Sequence, residues 1–570
     1  MYGGPPTQTS AEVADARQRA EALASNATRH LCAASYIDDE FRDMCLTEVL
    51  HQPRRIVAPS YGFDLISVLG HAQRARSIAT YRDAAILGLA VVTACVSASS
   101  LLVAIIFLIW MNAALAAYRM LRAAFQQLRA GSFALGTLMV RVWANALNIG
   151  ASILLLFIAY AVYAALSANA LAGAAFGQSD ALVLSSLGGI LLFFVFLCLP
   201  IGARIWRQLA LDALAPGNQP TQPRMTQRLR EIASQLGGNT VIYSGDHPFV
   251  GSGVPFRSGG FALRLVRANN NPLAALGDTT EAAREFDEPP FRAQQLVEHL
   301  RTELEPLRRE DYPERALSGL AVEDRIFLAG TEATSLTPHT SEGMVAHVIR
   351  HPVSPARHYL ACSVVSWRGE LAATVYVHVA VQGKSLYVEL TSTVLAPCLR
   401  KYRIVDSVDG HGLPAYVRAV RDGLGEAPRI IGAVPVSLVR AVIGAVVGAV
   451  TRPVTKALLP RGFDYGARIS VREEGMEREL RDHLQGEEIL KYSRVVERRI
   501  FAAILDFLEA RGVDLAEYRA QAGNVLNVGA VNNGSGTVNM GPTAPGGQQT
   551  NNYTVPPPSA LPAPATGGAR

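Results

Sequence analysis

Charge is scarce in this chain: only 18 % of its 570 residues are Asp, Glu, Lys or Arg, and the formal net charge is +5. So small an excess, spread over this length, gives no nucleic-acid footprint. Cysteine is scarce too. Cys32, Cys45, Cys95, Cys198, Cys362 and Cys398 stand apart with no C-x-x-C pair, which argues against a disulfide framework and against a zinc ribbon. The first 25 residues lack an apolar core behind a basic start, so no cleaved signal peptide is expected. The phosphate-binding pattern G-x-x-x-x-G-K-[ST] and H-E-x-x-H do not occur, and the glycines of "GDHPFVGSGV" have the spacing of neither that pattern nor a dinucleotide fingerprint. We therefore expect no catalytic residue, no cofactor and no metal site.

What the chain does have is long uncharged runs. Ala84–Tyr118 carries no charge, and between Arg141 and Arg204 only Asp180 is charged. A span needs roughly 20 apolar residues to cross about 30 Å of hydrocarbon. We expect spans over 143–166 and 181–203. As one helix, 84–118 would be about 52 Å long, so "CVSASS" (95–100) is read as the turn of a membrane hairpin, either two short spans or a re-entrant pair. Arginines flank these blocks, at 74, 76 and 82, at 119, 122 and 129, and at 204 and 207, while 167–180 holds no basic residue. By the positive-inside rule that loop lies outside, with the N-terminal region (1–82) and the C-terminal half cytoplasmic. Three spans with an external N-terminus remain the alternative. A later apolar stretch, 429–461, is interrupted by Arg440 and weakened by Pro435, Gly444 and Gly448. It reads as an amphipathic segment on the inner leaflet or against the spans, with a buried Gly/Ala-rich helix as the other reading.

From 207 to 428 the pattern is that of a soluble α+β domain. Helical patterns at 224–238 and 289–309 alternate with the short run "TVIYS" and with "GGFALRLVRA". Three β-rich runs then follow in close order, "YLACSVVSW", "LAATVYVHVAV" and "SLYVELTSTVL", broken by "RGE" and "QGK". Such turns join antiparallel strands, and an antiparallel sheet is expected. Residues 462–520 form a helical region, in which Tyr492, Val496, Ile500, Ile504 and Leu508 make an apolar stripe with Glu497 off it.

Few residues are candidates for chemistry. Tyr243–Gly260, "YSGDHPFVGSGVPFRSGG", gathers Ser244, Asp246 and His247 with five glycines, yet offers no phosphate-binding lysine and no spaced base. It reads as a shaped loop. His347 and His351 have the i,i+4 spacing of a zinc helix, with His358 beyond, but Pro352 pushes His351 out of helical geometry. Asp406 and Asp409 lack the alternating carboxylates of a calcium loop.

Several phrases together, "APSYGFDLISVLGHAQRARS", "VIYSGDHPFVGSG", "LYVELTSTVLAPCLRKYRIVD" and "DYGARISVRE", resemble a group of uncharacterised multi-pass membrane proteins common in actinobacteria. A bacterial source also fits the basic residues, of which only Lys384, Lys401, Lys456 and Lys491 are lysine. The resemblance implies a bacterial plasma membrane and no known chemistry. In 521–570, "VLNVG" recurs as "TVNMG" before a Pro-rich tail, and the repeat loosely resembles the amyloid-like signalling motifs of bacterial defence proteins. The tail is expected to be disordered, with 523–541 extended. The expected protein is thus a multi-pass α-helical membrane protein with a cytoplasmic α+β domain. It would act as a scaffold or signalling component whose partners are the lipid bilayer, unknown proteins and, through its tail, itself. The alternative is a membrane-linked enzyme or ligand sensor using the Tyr243–Gly260 loop.

Overall fold

The computed structural model describes residues 25–130, 150–162, 164, 178–268, 284–308, 317, 319–450, 462–478, 480 and 482–527. Residues 165–177 and the tail from 528 onward, with all of the repeat but its first three residues, lie outside the described residues.

The chain opens with α1 (Asn26–Ile37), capped by the Ser25 hydroxyl accepting from the Thr28 amide, and with α2 (Asp39–Met44), capped by Asp38. A π-helical turn follows at Cys45–Leu50. Next comes α3 (Leu65–Val96), whose N-cap carboxylate Asp64 accepts from the amides of Ile66 and Ser67. Ser97 is extended and ends that helix; α4 (Ala98–Ala130) starts directly after it. The break thus falls within 95–100, but its arms are 32 and 33 residues long and run well beyond 84–118. A short apolar helix, α5 (Gly150–Val162), and the long α6 (Gln178–Asp212) complete this part.

These helices have two-part surfaces. In α3, residues from Leu65 to Ile78 are buried with α1 and Tyr402 in one core, whereas Val91, Val92 and Val96 are exposed. In α6, Ala203 and Ala210 join that same core, with Leu214 just past its end, whereas Leu187, Leu191 and Phe194 are exposed. Helix α4 runs parallel to α6: Ser100 and Val103 meet Gly188 and Gly189, and Phe107 stacks near Phe193 with ring centroids 5.6 Å apart. A Cβ at Gly189 would fall 2.5 Å from Val103 Cβ, so glycine sets this close approach. Among the described residues, four helices are long and apolar enough to cross a membrane: Leu65–Val96, Ala98–Arg122, Ser186–Asp212 and Gly412–Gly444. The fourth belongs to α10 (Gly412–Val450), one continuous helix that takes in most of the expected 429–461 segment.

Between these lie α7 (Gln227–Leu236) and a six-stranded sheet in the order β1-β3-β4-β5-β6-β2. Its strands are β1 (Thr240–Tyr243), β2 (Val254–Arg264), β3 (Leu320–Ala329), β4 (Arg357–Ser366), β5 (Leu371–Gln382) and β6 (Ser385–Leu395). The expected antiparallel sheet is corrected to a mixed one, because β1 pairs parallel with β3 from Thr240–Ile326 to Tyr243–Ala329. The chain between them holds α8 (Ala293–Arg308), a crossover long enough for a parallel pair. The sequence reading passed over β3 because Glu323, Asp324 and Arg325 sit at its middle. Each is neutralised: Arg325 by Glu323, and Asp324 by His358 and Arg301.

One face of the sheet is covered by α8, α9 (Glu342–Arg350), α12 (His483–Ala510) and α13 (Ala516–Asn527). In α12, Val496, Ile500, Ile504 and Leu508 are buried along the expected stripe. Glu497, expected off it, is buried as well, since it accepts from Ser392 and pairs with Arg257 at 2.8 Å. The expectation that 523–541 is extended is corrected for its first residues, because α13 continues as helix to Asn527.

Candidate functional site

The other face of the sheet is closed by the Tyr243–Gly260 loop and by chain from the N-terminal region. Phe249 is the loop's anchor, with ring centroids 4.8 Å from Tyr376, 5.3 Å from Phe327 and 5.6 Å from Tyr359. Asp246 and His247 point to solvent, and Ser244 is bonded to Asp464. The glycines do hold an anion, but an internal one. Gly251 (φ +96°) and Gly253 (φ +92°) adopt left-handed backbone, and their amides donate to Glu473 Oε1 at 2.8 and 2.9 Å. Two amides one residue apart, turned inward in this way, form a nest-like site for negative charge. Among the described residues no cation joins Glu473 there. Burial pushes its carboxyl up, the two amides only partly offset this, and it titrates at about 7.

A second polar centre lies where α1 meets the sheet. The β4–β5 turn is strained, with Trp367, Arg368 and Gly369 all at positive φ. At Gly369 a Cβ would stand 2.1 Å from the Gly62 carbonyl oxygen, so only glycine lets the two segments touch. This turn delivers Glu370 to His30 on α1, with Nδ1 to Oε1 at 2.5 Å. The other imidazole nitrogen, Nε2, lies 2.7 Å from Asp406 Oδ2. A ring facing carboxylates at both nitrogens donates to both only as the imidazolium. Arg29 reaches Asp406 at 2.8 Å and also donates to the Leu214 carbonyl at 3.0 Å, just past the end of α6. Arg472, fully buried at the start of the one-turn α11 (Val471–Glu474), donates to the Glu370 and Ala396 carbonyls and to Cys398 Sγ at 3.3 Å. Burial alone would raise the Glu370 carboxyl. The His30 hydrogen bond and charge, with Arg472 and the Cys398 amide, outweigh it and hold the group at about 2.

His30, Glu370 and Cys398 are the group of metal-type donors that stands out among the described residues, their ligand atoms lying within 4.8 Å of one another. The donor set fits a cation poorly. Both His30 nitrogens are taken by carboxylates, burial pushes the Cys398 thiol up to about 12, and Arg472 already places positive charge against the sulfur. A Cys–His nucleophile pair fails for the same reason, since His30 has no free nitrogen to act as base. What this arrangement can do is clasp: three arginines (Arg29, Arg403, Arg472), His30 and two carboxylates bind α1, the end of α6, the β4–β5 turn and the 3-10 segment Arg400–Asp406 together. A smaller knot continues it. Asp212 accepts from His411 at 3.0 Å, Tyr416 at 2.7 Å and Gln208 at 3.0 Å, joining the end of α6 to the start of α10.

Of the residues singled out in the sequence, Asp406 belongs to this clasp. Asp409 is exposed, in a separate 3-10 turn (Val408–Gly410). The three histidines serve different ends: His347 and His351 stack at 4.1 Å on α9 and its cap, while His358 bonds Asp324 at 2.9 Å. His30, Glu370, Cys398 and Arg472 were missed. The available signal was the charge set in small or apolar surroundings, "NATRHLCAAS" and "RISVREE".

Fold and site define a class: an α+β protein with a mixed sheet, clasped to helices long and apolar enough to cross a membrane. More particularly, residues 258–539 match the family model of the AbeC-like domain, from within β2 to beyond α13. No curated protein and no solved structure matches the chain.

Proposed function

We propose that the chain is a membrane-anchored scaffold or signalling protein that acts through protein contacts. In this reading the sheet domain lies at the cytoplasmic face of a bacterial plasma membrane, as the flanking arginines and the actinobacterial resemblance imply. Self-association through the 521–570 tail belongs to the same proposal. The observation that carries the reading is the pair of hydrogen bonds that Arg29 donates, one to the Leu214 carbonyl past α6 and one to Asp406 of the clasp. A displacement of the apolar helices is thereby conveyed to the sheet domain, where a partner senses it. The enzyme or sensor alternative draws little support, because Glu473 already fills the Gly251–Gly253 nest and Asp246 and His247 have no base partner.

In-cell photo-cross-linking tests this. Probes replace exposed Met344, Val353, Phe463 or Leu484 of the sheet domain one at a time. Discrete protein adducts from neighbouring positions, lost when an adjacent charge is reversed, are expected. Absence of adducts at every position contradicts the proposal. So does a turnover that disappears in a folded Asp246→Ala/His247→Ala protein.

A further inference from the structure

The last uncharged block of the chain ends at a charge without an adequate partner. Arg204 and Arg207 are the first charged residues after 181–203, one turn apart on α6. Trp206 between them is exposed, as an aromatic at headgroup level would be. Arg207 turns inward instead, toward Asp39 on α2, and is only 6 % exposed.

Five arginines meet four carboxylates where α2, α3, α6 and α10 come together. Arg42 pairs with Asp39 at 2.5 Å and with Asp43 at 2.8 Å, and Arg76 reaches Asp43 at 3.5 Å. Arg82 holds Asp83 at 2.6 Å, and Arg204 holds Glu426 on α10. The arginine left over is Arg207. The carboxylate oxygen it faces, Asp39 Oδ1, is 3.7 Å away and is the one that Arg42 already takes. Its Nε is buried with no hydrogen-bond partner among the described residues. Arg42, Arg82 and Arg204 all stand close enough for their charges to bear on it. A buried guanidinium kept among like charges is costly, and an anion with several acceptor oxygens relieves that cost.

We propose that Arg207, with Arg204 and Arg42 beside it, binds the phosphate group of an anionic phospholipid from the leaflet on the sheet-domain side. A basic pocket between membrane helices at that level suits such a headgroup. The crevice is open where the Asp39 and Glu426 side chains are 63 % and 47 % exposed. Apolar surface adjoins it. Ser437 of α10 donates to Asp83 at 2.6 Å, and Val436 beside that serine and Leu87 one turn past that aspartate are both exposed. A free phosphate would use the same arginines but not this apolar margin, and the lipid is the occupant that uses both. The inference rests on the membrane anchoring proposed above.

Native mass spectrometry of the delipidated full chain in detergent tests it, with phosphatidylglycerol, phosphatidylcholine and inorganic phosphate as probes. One phosphatidylglycerol should bind saturably and ahead of phosphatidylcholine. Arg207→Gln should weaken it by about tenfold, as the loss of one charge-assisted contact would. Asp39→Asn removes a competing anion and should tighten it a few-fold, which carries the test if Arg207→Gln does not fold. Inorganic phosphate bound through Arg207 with no preference for the lipid assigns the site to a soluble phosphate and overturns the lipid. No saturable lipid, or an affinity unchanged in both variants, overturns the site and leaves the anchoring standing. Anchoring is read apart from this: release of the chain from native membranes by alkaline carbonate removes it, and the lipid with it.

Discussion

Two buried glutamates, Glu370 and Glu473, titrate in opposite directions although both are removed from water in one domain. Glu370 faces His30, Arg403 and Arg472 and is held at about 2, whereas Glu473 faces two amides and, among the described residues, no cation, and stands at about 7. Burial acts on both alike, so the difference is the company each keeps. The clasp is a set of charges that need one another. The glycine nest is a turn that tolerates a carboxyl in either protonation state.

Breaking the clasp carries the largest expected effect. Glu370→Ala removes the carboxylate shared by His30 Nδ1, the Cys398 amide and Arg403, and removing one member of a buried ion pair costs about 3–5 kcal/mol. The expected outcome is early release of α1 to limited proteolysis and a lower midpoint of thermal unfolding. An unchanged midpoint contradicts the ion-pair account. Gly369→Ala attacks the same joint through backbone geometry. The clash with the Gly62 carbonyl and the positive φ should destabilise by about 1–3 kcal/mol, read in the same assays.

The nest sharpens the contrast through pH. Because the Glu473 carboxyl is raised in the fold, the folded state binds more protons than the unfolded state between about 4.5 and 7, and stability falls as pH rises through that window. Glu473→Gln should remove this slope and stabilise the protein at pH 8 by up to about 3 kcal/mol. For Glu370 the sign is reversed: its contribution is complete above about 4.5 and is lost as pH falls toward 2. Chemical unfolding from pH 3 to 8 checks both signs. The smallest effect is expected at the solvent side of the loop, where Asp246→Ala with His247→Ala should shift stability by no more than about 0.5 kcal/mol.

The same contrast explains what could be read from the sequence. Strands β4, β5 and β6 are largely uncharged runs with interspersed valines, threonines and tyrosines and short turns between them, and the Val496–Leu508 stripe of α12 repeats every four residues, so local pattern was enough. The uncharged blocks marked the apolar helices because hydropathy is additive along the chain. Strand β3 was hidden by Glu323, Asp324 and Arg325, whose cost is cancelled by partners elsewhere in the chain. The clasp was hidden more deeply, since His30 meets Glu370 and Asp406 across 340 and 376 positions. Nothing in a linear pattern announces that Glu473 will fill a turn 220 residues earlier. Burial of a charge is decided by its partner, and the partner is a property of the fold.

The claim that the clasp couples the apolar helices to the sheet domain is tested most directly by hydrogen exchange on the full chain, wild type against Glu370→Gln. The account predicts that amides of α1, of the Leu65–Ile78 end of α3 and of the Ala203–Asp212 end of α6 lose protection together, while β4, β5 and β6 keep theirs. Loss confined to α1, with the ends of α3 and α6 unchanged, contradicts it.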